Sequence, residues 1–220
     1  NGWSPLLPDL ETRGLSDREH MNGGKMVLGE ALRIGSGLWL YGTVRAQILA
    51  CLAVGNQGDG IAVEENADVY LFNNRCLQNG MSGVFITGAS HVQASSGTCD
   101  ENEQWGISVK GQAQAQLDDN TCRKNKLCGI FIASPEACAA QRNRCEANLL
   151  RGIEIAENAT PRLEENICQA NAEFGICYYG SSGGVARGNR CSGAGVQRHG
   201  IFVSEQARPS LEENTCEGHE

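Results

Sequence analysis

The sequence predicts an all-β solenoid, one coil of about eight turns of about 23 residues each, with three short strands per turn. Three observations carry this reading. A glycine followed by an aliphatic residue recurs at one constant interval, at Gly37, Gly60, Gly83, Gly106, Gly129, Gly152 and Gly175, and then at Gly200 after a slightly longer one. A fixed period of this length marks stacked repeats. Within each repeat the apolar residues alternate with a period of two, as in a strand with one buried face, and no repeat has helical period or length. The composition agrees: 28 glycines, 5 prolines and 5% aromatic residues suit tight corners and a narrow interior, while a glycine period far longer than three excludes collagen.

Residues 1–36 lack the repeat and read as an N-terminal cap with an irregular first turn; residues 37–220 are the repeat domain. Ser16 and Glu19 have capping-box spacing, which predicts a short helix ending before Asn22. In the repeat, the position after the glycine holds Leu38, Ile61, Val84, Ile107, Ile130, Ile153, Ile176 and Ile201, and two further on stand Leu40, Val63, Ile86, Val109, Ile132, Ile155, Tyr178 and Val203. A second inward segment carries Ile48, Leu71, Ala94, Leu117, Ala140, Leu163, Ala186 and Leu211, and a third carries Ala53, Cys76, Cys99, Cys122, Cys145, Cys168, Cys191 and Cys216. Two corners bear asparagine: Asn74, Asn120, Asn143, Asn166, Asn189 and Asn214 at one, Asn56, Asn79, Asn102, Asn125, Asn148 and Asn171 at the other. Asparagine tolerates left-handed backbone and bonds nearby main chain, and stacked copies can bond one another along the coil.

The pattern Gly-Ile-x-Val, then Ala-x-x-x-Leu, then Asn-x-Cys-x-x-Asn resembles the right-handed parallel β-helix repeat family. That family includes carbohydrate-binding and sugar-hydrolase type repeats, those of F-box β-helix proteins, and the accessory protein of nitrous oxide reductase. The resemblance runs from Gly37 to the C-terminus and implies a right-handed single-stranded parallel β-helix. It implies little about activity, because the matching positions build the coil and the family hosts lyases, epimerases, hydrolases and recognition modules alike.

Seven of the 11 cysteines share one column. Ladder neighbours about 4.8 Å apart fall within disulfide range, but their side chains run alongside one another, and Ala53 occupies the same column. They are expected to be buried free thiols. No Cys-x-x-Cys occurs, so no metal or other cofactor is expected. Reduced thiols favour a cytoplasmic location, with the sequon Asn158-Ala159-Thr160 pointing the other way. The net charge of -8 disfavours nucleic acid or an anionic membrane as partner, and the longest apolar run, Ile48 to Val54, is far too short to span a bilayer.

Catalysis on an acidic polysaccharide, by a lyase, epimerase or glycoside hydrolase, would need carboxylates gathered on one face. The candidates are Asp118, Asp119, Glu164 and Glu165. Intervening turns place Arg142 between Asp119 and Glu165, and a second column reads Asp100, Arg123, Glu146, so both are expected to be structural charge ladders. The four histidines form no spaced pair and read as surface residues. Outward from the first strand stand Trp39, Phe85, Phe131 and Phe202, with Tyr41 and Tyr179 two positions further on. Large aromatics on an outward face are candidates for binding, although a patch covered by another segment and scattered rings are the competing readings. Before Gly200 the corner asparagine is replaced by Ala194 in a turn two residues longer, which reads as a packing irregularity. The chain stops in mid-turn at Glu220, an open edge expected to meet further chain or another subunit. The expectation is a non-enzymatic recognition or scaffold module of a larger protein, binding a protein or carbohydrate along one face.

Overall fold

A computed structural model describes Arg18–Met21, Gly24–Val27 and residues 35–219 of the chain. The repeats stack as a parallel β-solenoid with three sheets: one of ten strands and two of eight. The first sheet collects the strand after each leading glycine, from Leu38–Tyr41 to His199–Val203. The second runs from Arg45–Leu49 to Ser210–Glu212, and the third from Leu52–Val54 to Thr215–Glu217. Every column foreseen from the period is a column in space: Ile107 pairs with Ile130, Leu117 with Ala140, and Cys122 with Cys145.

The helix expected near Ser16 is corrected over its described part. Arg18–Met21 is a strand, antiparallel to Gly24–Val27, which in turn pairs with Leu38–Tyr41 and borders the first sheet. The register pairs Arg18 with Val27 and Met21 with Gly24. Ser16 lies outside the described residues.

The interior is filled by alternation between turns as well as along strands. Leu71, Leu117 and Leu163 in the second sheet are each followed one turn later by Ala94, Ala140 and Ala186, and all six are buried. In the turn that carries Ala186 the first-sheet column holds Tyr178 in place of isoleucine, and it is fully buried. Large facing small in successive layers is how a narrow core reaches native density.

The leading glycine is required by this packing. A Cβ on Gly129 would lie 2.8 Å from both the Cys145 sulfur and the Gly152 carbonyl oxygen, and the same collision recurs at Gly106, Gly152 and Gly175. Glycine and the cysteine column are two halves of one fit. All 11 cysteines are free, and those from Cys76 to Cys191 in the column are buried.

The corners differ from expectation in one respect. The left-handed residue is the one before each asparagine, such as Asp119 (φ 56), Lys124 (φ 54), Arg142 (φ 51) and Ala147 (φ 51). The asparagine itself turns inward. Asn125 donates through Nδ2 to the Cys99 carbonyl at 2.9 Å and to Asn148 Oδ1 at 3.0 Å, while its own Oδ1 accepts from Asn102 N and Nδ2 at 3.0 and 2.9 Å. The second ladder repeats this through Asn120, Asn143, Asn166, Asn189 and Asn214.

The longer turn before Gly200 repairs the ladder in another way. Ala194 takes the left-handed position (φ 49), and the two extra residues let Gln197, fully buried, accept from Asn171 N and Nδ2 at 3.2 and 3.4 Å. The asparagine's role has moved to a longer side chain.

One rung is defective: Gly97 stands where Asn74 and Asn120 stand on either side, and a small cavity lined by Asn74, Ala94, Gly97 and Asn120 lies there. Two stability predictions follow from these fits. Gly129→Ala should lower stability by about 1–3 kcal/mol through overpacking, read as a lower denaturation midpoint. Gly97→Asn puts back a ladder amide worth about 1 kcal/mol, but its Cβ would lie 3.1 Å from Asn120 Oδ1 and 3.3 Å from the Asn74 carbonyl oxygen, so the two effects should offset to within about 1 kcal/mol; a larger shift of the midpoint in either direction would contradict this account of the rung.

Candidate binding face

The outward side of the first sheet carries three columns. The central one reads Trp39, Ala62, Phe85, Ser108, Phe131, Glu154, Cys177, Phe202 in strict register. The flanking columns are the residue before each leading glycine, including Trp105, Cys128, Arg151, Phe174 and His199, and the residue four after it, including Tyr41, Lys110 and Tyr179. All three columns project outward, so their side chains touch across turns.

Two clusters result. In the middle turns Trp105 packs on Phe131 with centroids 5.1 Å apart, and the Lys110 ammonium lies 4.1 Å from the Trp105 ring centre, 5.2 Å from Phe131 and 6.0 Å from Phe85. An ammonium over ring faces is attracted by their quadrupoles. Burial holds the Lys110 pKa below the ordinary lysine value, an effect the charges of Glu157, Asp59 and Glu154 oppose.

In the later turns Phe174 stacks on Phe202 at 4.4 Å with rings nearly parallel, and His199 lies 5.7 Å from Phe174. Arg151 sits over Tyr179 at 5.2 Å and Phe174 at 5.9 Å, and its guanidinium pairs with Glu154 at 3.0 Å and Glu173 at 3.1 Å. The Cys128 thiol donates to Glu154 Oε2 at 2.9 Å, and burial keeps that thiol well above its ordinary pKa. A thiol so held is a hydrogen-bond donor and no nucleophile.

Of the residues proposed from sequence, Phe85 and Phe131 join the lysine cluster, and Tyr179 and Phe202 the arginine cluster. Trp39 and Tyr41 form a separate pair at the first turn, centroids 5.4 Å apart. Sequence reading passed over Trp105, Lys110, Arg151, Glu154 and Phe174. The signal was the column before the leading glycine, where Trp105, Arg151, Phe174 and His199 succeed one another with Cys128.

The acidic candidates lie elsewhere, where the second sheet turns toward the third. Asp119 receives two bonds from Arg142, both 3.0 Å, and Glu164 accepts from Gln141 at 2.9 Å and from Arg162 at 2.6 Å. Asp118 and Glu164 are separated by the Gln141 rung, and burial raises the Asp118 pKa. Glu165 stands one turn beyond Arg142, whose bonds go to Asp119. In the other ladder Asp100 binds Arg123 at 2.7 Å, but Glu146 pairs with Arg144 of its own strand. Asp119, Glu164, Asp100 and Glu146 are thus drawn into pairs along and across rungs. Because the pairs lie on the surface, Asp119→Asn and Glu164→Gln should each shift stability by less than about 1 kcal/mol; a larger change in the unfolding midpoint would show that the pairs matter more than surface pairs ordinarily do.

The sequence profile of the right handed beta helix region matches residues 33–137 and 105–219. Among solved structures, a periplasmic alginate epimerase AlgG double mutant is similar with a TM-score of 0.56 and 14% identity, covering 79% of this chain and 51% of that one. A single mutant of AlgG matches with a TM-score of 0.56 and 16% identity, over 78% of this chain and 50% of that one. The chain therefore spans about half the length of these structures, and at this identity the likeness is one of fold. Among curated protein sequences none matches the chain.

Proposed function

The chain belongs to the right-handed β-helix family, and on that premise we propose that it binds a polysaccharide along the outward face of its first sheet. The observation that carries the reading is the Phe85, Trp105, Phe131 cluster with Lys110 laid across it. Aromatic faces beside a cation offer both stacking area for sugar rings and a charge for their polar substituents. The sheet is in register and its turns are tied by two asparagine ladders, so little ordering cost accompanies binding.

A second reading is favoured by one observation. Arg151, Glu154, Glu173, Tyr179 and His199 gather on the same face, which places a cation, carboxylates, a phenol and an imidazole beside the aromatic cluster. A polysaccharide-modifying activity would use such groups, and the fold likeness is to an alginate epimerase. Against it, the Arg151 charge is already answered by two carboxylates.

The test is binding of the purified chain to a panel of neutral and acidic polysaccharides by calorimetry, with the same mixtures assayed for new unsaturated ends or altered epimer content. Binding without turnover is expected, and the variants Phe85→Ser and Phe131→Ser should each weaken it about tenfold, the equivalent of ~1.4 kcal/mol. A folded chain that binds no polysaccharide would remove this reading, and turnover would establish the second.

A further inference from the structure

The ladder that runs through Asn120 lacks one amide, at Gly97, and the groups that amide would bind are all still in place. In a complete rung Asn143 makes four such bonds: Nδ2 donates to the Leu117 carbonyl at 2.7 Å and to Asn166 Oδ1 at 3.0 Å, while Oδ1 accepts from Asn120 N and Nδ2, both at 3.0 Å. By the same spacing the Gly97 position is faced by two donors and two acceptors. The donors are Asn74 N and the Asn74 Nδ2 hydrogen that is not given to the Ile48 carbonyl. The acceptors are the Leu71 carbonyl, without the amide bond that the Ile48 and Ala94 carbonyls each receive at 2.8 Å, and Asn120 Oδ1, which keeps a bond from Gly97 N at 2.9 Å. The main chain does not close in to answer them. Ser96 keeps the left-handed backbone (φ 56) of Asn73 and Asp119, and Thr98 N and Thr121 N bond the Asn74 and Gly97 carbonyls at 2.8 and 2.9 Å, as Arg144 N bonds that of Asn120 at 2.8 Å.

We infer that Gly97 creates a binding site for one buried water, which stands in for the missing amide and carries the ladder from Asn74 to Asn120. Asn74 and Asn120 are both buried, and buried polar groups find a partner in protein or in ordered water. The partner here must accept two hydrogen bonds and donate two, and a water has two lone pairs and two hydrogens. A sodium or ammonium ion has no lone pair for the two N–H groups, an anion has no hydrogen for the two oxygens, and an alcohol has only one. Size agrees with this chemistry. The cavity lined by Leu71, Asn74, Gly97 and Asn120 gives the centre of a water molecule about 10 Å³, close to what a single water needs and too little for anything larger. The choice of glycine fits as well. A Cβ at this position would lie 3.1 Å from Asn120 Oδ1, crowding the oxygen to which the water donates.

The experiment is a crystal structure of the whole chain at a resolution that shows ordered water, with Gly97→Asn as the comparison. The parent chain should show one water within about 2.7–3.2 Å of an Asn74 donor and of the Leu71 carbonyl or Asn120 Oδ1. In Gly97→Asn that water should be lost, with the new amide in its place. A map that shows ordered water elsewhere but none at this position, or a water that keeps the same bonds in the variant, would overturn the inference. Should the variant not fold or the crystals not form, nuclear magnetic resonance of the parent chain decides. The Asn74 backbone N–H should give a nuclear Overhauser cross-peak to a long-lived water, and the Asn120 N–H, which bonds Asn143 Oδ1 at 3.0 Å, should give none. No cross-peak at Asn74, or equal cross-peaks at the two amides, would overturn it equally.

Discussion

The inward-turned asparagine amide is the interaction on which the rest depends. Each turn must bend sharply to close on itself, and it does so by putting residues such as Asp119, Arg142 and Ala147 into left-handed backbone, at about 1–2 kcal/mol apiece. The bend would also strand buried main-chain groups. The next asparagine answers both problems: in Asn143, Nδ2 reaches the Leu117 carbonyl at 2.7 Å and Asn166 Oδ1 at 3.0 Å, while its backbone N–H bonds the same Oδ1 at 2.9 Å. With net values of about 1 kcal/mol per bond, the ladder offsets the strain of the corner it sits in. It also links every turn to the next, so a turn of the wrong length would lose bonds on both sides. Gln197 shows how strongly that constraint acts, because the longer turn kept the acceptor by moving it to a longer side chain.

Fixed turn length makes the solenoid a set of straight columns, and columns can carry information with their own period. Inside, the two-turn alternation of leucine and alanine packs the core, with a small cavity at Gly97. Outside, the same straightness brings Lys110 onto rings contributed by three different turns, those of Phe85, Trp105 and Phe131. No single repeat contains this cluster. It exists only because strands a full turn apart in sequence lie side by side.

This explains which parts were legible in the sequence. The columns of Ile130, Ala140, Asn143 and Cys145 could be read because each recurs once per turn and each obeys a one-residue rule: apolar in, amide at the corner, glycine where a Cβ collides with sulfur. The outward face obeys no such rule, and its chemistry is set by pairs of positions in different columns. Trp105 meets Phe131 and Arg151 meets Glu173 across neighbouring turns, from positions that are not equivalent in the repeat, so these contacts follow no column. The charge ladders show the converse error. Asp100, Arg123 and Glu146 do share a column, but long flexible side chains need not follow it, and Glu146 turns to Arg144 in its own strand. Near the N-terminus a capping-box spacing pointed to a helix, but Arg18–Met21 pairs with Gly24–Val27, which pairs with the first strand of the coil, and this strand pairing prevails.

The two clusters on the face are not equivalent, and the difference bears on where a ligand would first be held. Arg151 brings its own counter-charges: Glu154 and Glu173 bind it directly, and Glu154 is further fixed by the Cys128 thiol. A group arriving there must compete with charge pairs already made, and breaking a partly buried pair costs more than an exposed one returns. Lys110 is held by rings instead, and burial already disfavours its charged form. A ligand oxygen that approached it would restore solvation-like contacts to the ammonium while the sugar covered the aromatic faces. Charge and stacking therefore act together in the middle turns and against each other in the later ones. On a chain whose net charge is -8, the ring-held lysine is the point at which the proposed polysaccharide would first be held.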